Sequence, residues 1–292
     1  MENTIKRLGF CRLCRSDDLK ILFIKYGFEV ARCHRCGFTF LNFDPNEQFI
    51  KNYYSEDFFN DPGTKHGFSD YEAENENLKK TFKERIDILK KYKPAGRLLD
   101  IGCATGTFME VASQHWDVFG VEISEYASQK AQEKGLKVLQ GDLVNSPYAD
   151  QKFDIITMWD TLEHLNHPTQ VLQTLKKMTN TGSIIAATTG DVGSLASILT
   201  GKYWHLFNIP QHLSYFDKKS ASSLFNKAGF KVMQISYPSV NFSLDYLLFR
   251  LMTFYRIRAL KSLYQLLKRR NLLNANFKVN LFDIMFIIAQ RQ

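Results

Sequence analysis

The chain has 292 residues, of which 45% are hydrophobic, and a formal net charge of +8. This length and hydrophobic content allow one domain with a small appendage or two domains, and they exclude a globally disordered chain. Because residues 239–292 contain nine lysines and arginines but only two acids, the charge indicates a local basic surface and excludes a generally basic protein.

The first segment of the chain is dominated by two cysteine pairs. Cys11 and Cys14 form one Cys-x-x-Cys pair, and eighteen residues later Cys33 and Cys36 form the other. Four thiolates on two short knuckles can close a tetrahedral zinc site, and this pattern shows no open ligand position. We therefore predict a structural Zn²⁺ that holds residues 1–41 folded as a zinc-ribbon-like module, because so short a segment cannot bury enough core alone.

The same cysteines bear on the compartment. The pairs have no secretory context, which favours reduced thiols and metal ligation over disulfides. No apolar run follows a basic start, and no uncharged apolar stretch is long enough to span a bilayer. We therefore expect a cytoplasmic protein.

Residues 42–96 are predicted to connect this module to the main domain. Residues 42–70 are rich in Asn, Asp, Tyr and Phe and indicate an irregular connection. A helix is predicted over residues 71–92, because apolar residues recur there at helical spacing, and Pro94 and Gly96 end it.

Strand and helix patterns alternate over residues 97–292, with an insertion at 239–280 before the last strand. The predicted strands are 97–101, 117–122, 137–140, 154–159, 183–187, 231–237 and 281–289. The predicted helices are 107–115, 125–134, 168–179 and 218–228. Such alternation implies an α/β domain with a mostly parallel sheet and helices on both faces.

A glycine-rich turn follows the first strand of this domain. It reads Asp-Ile-Gly-Cys-Ala-Thr-Gly from Asp100 to Gly106, and such a turn presents backbone N–H groups and a helix N-terminus to a ligand. The run resembles motif I of the class I S-adenosylmethionine-dependent methyltransferases, with Ala104 in place of the middle glycine. The resemblance implies that Asp100 anchors the turn and helps hold the methionine ammonium. It also implies that the backbone at Gly102, Cys103 and Gly106 approaches the methionine and ribose groups.

Acidic residues follow the next two strands. Glu122 ends the second strand about 20 residues after the glycine turn, where an acid can accept hydrogen bonds from both ribose hydroxyls. Asp142 and Leu143 follow the third strand, and the resemblance implies that they meet the adenine amino group and ring. A nicotinamide-dependent dehydrogenase could share the turn and the first acid. The Asp-x-Gly start and the later Gly-Asp-Leu favour S-adenosylmethionine.

The candidate catalytic residues lie after the fourth and fifth strands. Glu163, His164 and Pro168 resemble the E-H-x-x-x-P segment of many small-molecule methyltransferases, and residues 210–216 resemble the P-x-H-L-x-Y-F segment of this broad family. Methyl transfer needs alignment of the reactants, and a hydroxyl or carbon acceptor must also lose a proton, for which His is suited. His164 is the first candidate base, and Glu163 orients it or binds a divalent metal. His212 positions the acceptor or is itself the base. Helix capping, surface pairing and aromatic packing remain alternative roles.

The insertion carries much of the basic charge. Apolar residues recur at helical spacing over residues 242–270, with positive charges between them. A cationic amphipathic helix of this kind can lie on an anionic membrane surface, which predicts peripheral contact with the inner membrane. It could equally cover the substrate pocket, grip phosphate groups or pack on the core with a solvated basic face.

Together these motifs resemble two groups within the family. The four cysteines before the domain resemble the zinc-containing sugar C-methyltransferases, and residues 97–216 resemble the ubiquinone-type O-methyltransferases. The resemblance implies a Rossmann-like, seven-stranded methyltransferase sheet that ends in an antiparallel hairpin. It also implies O- or C-methylation of a small-molecule or glycan acceptor, including a surface polysaccharide or a lipid-linked sugar. The sequence leaves the oligomeric state open.

Two other function classes remain. An RNA methyltransferase could grip nucleic acid with the zinc module and the basic tail, although no Asn-Pro-Pro-Tyr-like motif is present. A non-enzymatic zinc-ribbon adaptor with a degenerate domain is the other class. The intact acids Asp100, Glu122 and Asp142 argue against the adaptor.

Overall fold

The computed structural model describes residues 6–54, 75–245, 248, 251–252, 260–270, 273 and 275–292. The strands are β1 (Leu19–Lys25), β2 (Phe28–Cys33), β3 (Thr39–Leu41), β4 (Arg97–Ile101), β5 (Asp117–Glu122), β6 (Lys137–Gln140), β7 (Phe153–Met158), β8 (Thr179–Gly190), β9 (Ser214–Tyr215), β10 (Phe230–Ser236), β11 (Val240–Ser243), β12 (Asn276–Val279) and β13 (Ile284–Arg291). The helices are α1 (Glu47–Tyr53), α2 (Asn75–Tyr92), α3 (Thr107–Ala112), α4 (Glu125–Glu133), α5 (Pro168–Lys177), α6 (Leu195–Thr200), α7 (Lys218–Lys227) and α8 (Leu260–Arg269).

A central seven-stranded sheet confirms the predicted fold class. Its strand order is β10-β13-β8-β7-β4-β5-β6, and the strands from β8 to β6 are parallel. Strand β13 runs antiparallel between β8 and β10, as the predicted terminal hairpin requires. All seven predicted strands are present, and their ends differ from the prediction by a few residues.

The central sheet is covered on both faces. The neighbouring residues Leu98 and Leu99 of β4 are fully buried in two different hydrophobic clusters, as are Ile155 and Ile156 of β7. Successive side chains of a strand point to opposite faces, so apolar layers lie on both sides of the sheet. The carboxyl ends of the parallel strands therefore form one edge where a ligand can bind.

The cysteine segment shares a sheet with the main domain. Strands β1, β2, β3 and β9 form a second sheet, in which Thr39 pairs with Tyr215 and Phe40 pairs with Ser214. The ring of Phe38 also packs against a ring beyond β9, that of Phe216, with 5.1 Å between the centroids. The segment is thus packed onto the main domain, and the predicted boundaries at residues 41 and 96 stay predictions.

A helix lies in the segment predicted to be irregular. Helix α1 begins after Asn46, whose side chain accepts a hydrogen bond from the backbone N–H of Phe49 at 2.7 Å. Residues 55–74 lie outside the described part of the chain, as do the first four residues of the helix predicted at 71–92. From Asn75 onward that helix is present as α2.

The insertion is a hairpin with helical chain between its strands. Strand β11 pairs with β12, and Asn241 of β11 donates its backbone N–H to the Thr81 hydroxyl of α2 at 3.1 Å. The insertion therefore packs against α2 beside the main sheet. Of the basic segment 242–270 predicted to be helical, residues 242–243 instead belong to strand β11, and residues 260–269 form α8. Residues 246–247, 249–250 and 253–259 lie outside the described part of the chain. No helix in the described ranges is both long and apolar enough to cross a bilayer.

Candidate functional site

One cavity of about 1470 Å³ opens at the carboxyl edge of the parallel strands. Its walls include the turn after β4, the ends of β5 and β6, and the loops after β7 and before β9. The hairpin of the insertion contributes an apolar wall through Val240, Phe242 and Val279. Since small-molecule sites usually occupy about 300–1000 Å³, this volume has room for a cofactor and an acceptor.

Two buried acids lie at the strand ends. The Asp100 carboxylate at the end of β4 accepts a hydrogen bond from the Thr157 hydroxyl of β7 at 2.6 Å. The Glu122 carboxylate at the end of β5 accepts from the backbone N–H groups of Ala104 and Ser124 at 2.8 and 2.9 Å. Both acids line the cavity, and Glu122 ties the glycine turn to the neighbouring strand.

The glycine turn is as tight as the sequence predicted. Gly102 and Gly106 have φ angles of +70° and +84°, and Ala104 has a φ of +47°, which an alanine rarely adopts. Gly102 and Cys103 line the cavity with Ala104. Gly106 instead caps the start of α3 and faces Leu136. A Cβ atom added at Gly106 would lie only 2.3 Å from Cδ1 of Leu136, so no larger residue fits without a shift. Its contribution in this structure is to the shape of the turn.

The remaining predicted cofactor residues follow β6. Asp142 and Leu143 both line the cavity, and Leu143 is buried. Asp142 caps a 3₁₀ turn by accepting the backbone N–H of Val144 at 3.4 Å. Six of the seven predicted cofactor residues thus line one cavity, with Gly106 behind them.

The donors and acceptors of this wall fit an adenosyl amino acid. The acids at the ends of β4 and β5 can accept hydrogen bonds from an ammonium group and from hydroxyls. Trp159 also lines the cavity, and its indole Nε1 is buried with no hydrogen-bond partner in the described part of the chain. A buried, unpaired donor is costly, so a ligand that accepts its hydrogen bond is favoured.

The three predicted catalytic residues meet in the loops after β7 and before β9. A carboxylate oxygen of Glu163 and a ring nitrogen each of His164 and His212 lie within 4.8 Å of one another. The two imidazole rings are perpendicular, with 4.8 Å between their centroids. Nδ1 of His164 is 3.2 Å from the carbonyl oxygen of Gln211, and Nδ1 of His212 is 2.9 Å from that of Leu206.

The contacts at Nδ1 of the two imidazoles differ. Nδ1 of His212 faces the Leu206 carbonyl, which can only accept, so the lone pair of a neutral ring lies on Nε2. Nδ1 of His164 faces both the Gln211 carbonyl and the Tyr54 hydroxyl, so either tautomer of this ring finds a partner. Burial lowers the pKa of His164 to about 4, so this ring is neutral at pH 7 and a weak proton acceptor. Burial, together with the nearby Asp160, raises the pKa of Glu163 to about 8. Oε2 of Glu163 is also buried with no hydrogen-bond partner among the described residues.

Three further cavity residues were not singled out from the sequence. Tyr54 places its hydroxyl 2.9 Å from Nδ1 of His164. Arg85 of α2 is buried near Asp160, and burial lowers the pKa of its guanidinium to about 10. Asp160 has a φ of +48° and accepts a hydrogen bond from the Thr188 hydroxyl at 2.8 Å. No local sequence signal connects these residues, because the fold brings them together from distant segments.

The four cysteines converge at one point. The sulfur of Cys11 lies 3.6 Å from that of Cys36, and the sulfur of Cys14 lies 3.5 Å from that of Cys33. All four sulfurs lie within 4.8 Å of one another. Sulfurs placed about 2.3 Å from a tetrahedral zinc ion stand about 3.8 Å apart, so this cluster fits the predicted metal.

The comparison with protein families matches most of this region. The model of a family described as a methyltransferase domain matches residues 71–235, more than half of the chain. An uncharacterised protein of Methanocaldococcus jannaschii is 25% identical over 150 residues, which cover 51% of this chain and 72% of that protein. An uncharacterised methyltransferase of Schizosaccharomyces pombe is 30% identical over 134 residues, or 40% of this chain and 48% of that protein. A probable tRNA methyltransferase 9B of Bos taurus is 30% identical over 91 residues, which cover 31% of this chain and 20% of that protein.

The fold recurs among solved structures. The magnesium protoporphyrin IX methyltransferase of Synechocystis PCC 6803, with bound SAH, superposes with a TM-score of 0.53 at 13% identity. The match covers 85% of this chain and 100% of that one. At this identity the likeness concerns the fold alone.

The buried carboxyl of Asp100 predicts a pH dependence of stability. Burial raises its pKa to about 8, whereas in the unfolded chain it ionises near 4. The folded state thus binds the proton more tightly, and the stabilisation from the neutral form is lost as pH rises from about 4 through about 8. In cofactor-free protein we expect Asp100→Asn to make the decline of the unfolding free energy with pH shallower, by up to about 1.4 kcal/mol per pH unit.

Urea unfolding at several pH values between about 5 and 8 measures this difference, because this range lies between the pKa values of Asp100 in the unfolded and folded states. Thr157→Val is the companion variant, because it removes the hydrogen bond that favours the charged form and should extend the decline to higher pH. Equal slopes in the wild type and Asp100→Asn would contradict the assignment.

Proposed function

The chain belongs to the methyltransferase domain family, and we propose that it transfers the methyl group of S-adenosylmethionine to a hydroxyl oxygen of a glycan or lipid-linked acceptor. As a member it is an S-adenosylmethionine-dependent methyltransferase; the acceptor and the roles of the individual residues belong to the proposal. The observation that carries it is a single cavity with the acids Asp100 and Glu122 on one wall and Glu163, His164 and His212 on another.

The acidic wall would hold the cofactor. Asp100 would pair with the methionine ammonium, and Glu122 would accept hydrogen bonds from the ribose hydroxyls while it keeps its two backbone donors. Asp142 and Leu143 would border the adenine. A cofactor held there would leave the rest of the cavity for the acceptor, and alignment of the two is most of what methyl transfer requires.

The second wall would act on the acceptor hydroxyl. The buried carboxylate of Glu163 and one ring nitrogen each of His164 and His212 form a donor set that suits a divalent cation. A bound cation of this kind lowers the pKa of a coordinated hydroxyl. The low pKa of His164 favours its role as a neutral ligand over the role of general base. His212 would be the base only where its lone pair does not bind the cation, because one lone pair cannot do both.

Two alternatives stand against this proposal. RNA methylation is the named activity of tRNA methyltransferase 9B, but that likeness spans 20% of that protein. The apolar wall of Val240, Phe242 and Val279 favours an acceptor with apolar groups over a polynucleotide. An adaptor without activity would have no use for two buried acids at the strand ends, whose burial is costly without a ligand.

We also propose that the cysteine cluster binds a structural zinc ion. The support is the convergence of four sulfurs at tetrahedral spacing, with Cys11 and Cys33 buried against the main domain. Thiolate ligands persist in a reducing compartment, which supports the cytoplasmic location expected from the sequence.

The zinc proposal predicts the metal content of the protein. Freshly purified wild-type protein should contain one zinc ion per chain, and Cys14→Ser should lose it, because three thiolates hold the ion less tightly than four. Mass spectrometry under native conditions measures the metal. Cys103→Ser is the matched control, since this fifth cysteine is buried in the cavity wall and not in the cluster. A metal-free wild type would contradict the proposal.

The cofactor proposal predicts the effect of Glu122→Gln. An amide cannot accept from both backbone donors and both ribose hydroxyls, and a hydrogen bond to a charged group contributes about 1.5–3 kcal/mol. The affinity for S-adenosylhomocysteine should therefore fall by roughly tenfold or more. Titration calorimetry measures it, with Glu125→Gln as the control because this exposed acid lies only three residues away. Equal losses in both variants would refute the role of Glu122.

The catalytic proposal predicts what the histidines do. His164→Ala and His212→Ala should keep S-adenosylhomocysteine binding but lose Mn²⁺ affinity by at least about tenfold, as expected when a ligand is removed. Methyl transfer should fall by at least about a hundredfold in one or both. The control is His115→Ala, an exposed histidine.

Labelled methyl transfer from S-adenosylmethionine into the fractions of a cell extract measures turnover, and electron paramagnetic resonance measures Mn²⁺ binding. Label in the glycan or lipid fraction supports the proposed acceptor. Label that ribonuclease removes would replace it with RNA. Full turnover in both histidine variants would refute the catalytic assignment.

A further inference from the structure

Six large apolar side chains are exposed on neighbouring segments of the C-terminal half. They belong to α6, to the 3₁₀ turn after it and to the segment before β13: Leu195, Ile198, Leu199, Tyr203, Leu281 and Phe282. Between 54 and 76% of each residue is exposed. Single exposed apolar residues are common, but a group of this kind marks an interaction surface. We call this group the apolar rim.

Hydrogen bonds join the two parts of the rim at the cavity. Asp283 follows Phe282, and its carboxylate accepts from Nε1 of Trp204 at 3.0 Å and contacts Nε2 of His205 at 2.7 Å. The segment before β13 therefore lies beside the turn that follows α6. Leu281 is exposed, and it lines the cavity together with Asp283 and His205. The rim therefore borders the cavity mouth.

The rim contains a strained aromatic residue. Phe282 has a φ of +53°, a conformation that bulky residues rarely adopt, and its backbone N–H donates to the side chain of Asn280 at 2.8 Å. The ring is exposed and so recovers little stabilisation from packing inside this chain. Strained residues of this kind concentrate at functional surfaces.

The segment that carries α6 has one charged residue, which is basic. Residues 192–216, which include α6, contain no acid, and their one basic residue, Lys202, lies with its Nζ 5.3 Å from the ring of Tyr203. Residues 239–292 contain nine basic and two acidic residues, whereas residues 1–191 contain 24 basic and 27 acidic ones. The excess positive charge of the chain thus lies in the segments that follow residue 191.

We propose that the apolar rim docks onto an anionic lipid bilayer and that a lipid-anchored acceptor passes from the bilayer into the cavity. Aliphatic side chains on a short helix can enter the boundary between headgroups and acyl chains, and tyrosine with lysine suits the headgroup level. Val240 and Phe242 continue the apolar surface from Leu281 into the cavity. The lipid-anchored acceptor rests on the proposed methyl transfer, whereas the docking surface does not.

A second copy of the chain fits this surface less well. In a two-fold dimer the same patch of both copies would meet, so the two copies of Lys202 would be brought into one interface. Like charges placed opposite each other oppose association, whereas the phosphates of an anionic bilayer complement them.

Cosedimentation of the full-length protein with vesicles tests the docking surface. Wild-type protein should bind phosphatidylcholine vesicles that contain phosphatidylglycerol, at low salt and more weakly at moderate salt. The double variant Ile198→Ser and Phe282→Ser should bind at least about tenfold more weakly, because two apolar side chains no longer enter the bilayer. The control is the double variant Ile24→Ser and Tyr26→Ser. Ile24 of β1 and Tyr26 in the turn after it are 63% and 60% exposed, and neither belongs to the rim.

Three results would overturn the docking surface. They are no vesicle binding by the wild type at low salt, equal binding by the rim variant and the control, and conversion of an oligomer to a monomer by the rim variant in light scattering. Calorimetry with S-adenosylhomocysteine on the same samples separates the two proposals. A wild type that binds vesicles but not this ligand would contradict the methyl transfer and leave the docking surface intact.

Discussion

The parallel alignment of β5, β4, β7 and β8 determines where four buried carboxyl groups of the cavity lie. Because these strands run in one direction, their carboxyl ends and the loops that follow share one edge. That edge gathers Asp100, Glu122, Asp160 and Glu163, and burial raises the pKa of each of these carboxyl groups. Several buried acids in one cavity are unfavourable without cations. A methionine ammonium and a divalent cation would each relieve part of this cost.

The cysteine segment is coupled to the same edge through backbone contacts. Leu213, next to His212, donates its backbone N–H to the carbonyl of Glu163 at 2.9 Å, and its own carbonyl accepts from the N–H of Leu41 at 3.0 Å. The buried guanidinium of Arg12 reaches Asn166 in the loop after His164, with contacts of 2.8 Å to the backbone and 2.6 Å to the side chain. The fold of the cysteine segment therefore supports both loops that carry the histidines. The proposed zinc ion would in this way stabilise the loops that carry the proposed catalytic side chains.

The sequence predicted well whatever depends on local spacing. Strand positions follow from short apolar runs, and α7 begins and ends where a capping residue, Asp217, and a left-handed glycine, Gly229, placed it. The motif order also located most of the cavity wall. Helix α1 was not predicted, because a seven-residue helix has too few turns to show apolar residues recurring at helical spacing. Its capping residue Asn46 was the one local signal.

What the sequence could not predict depends on burial and on contacts between distant segments. His164 was predicted as the first candidate base, and desolvation by the surrounding protein lowers the pKa of its imidazole, which the sequence could not show. Arg85 comes from a helix that precedes the sheet, and Tyr54 lies more than a hundred residues from the histidine it contacts. The exposed side chains of α6 are similar in kind, because no helix was predicted over this segment and only the fold shows that its leucines face outward. Leucine and isoleucine contribute apolar burial only where another surface covers them, and the proposed bilayer contact would supply that cover.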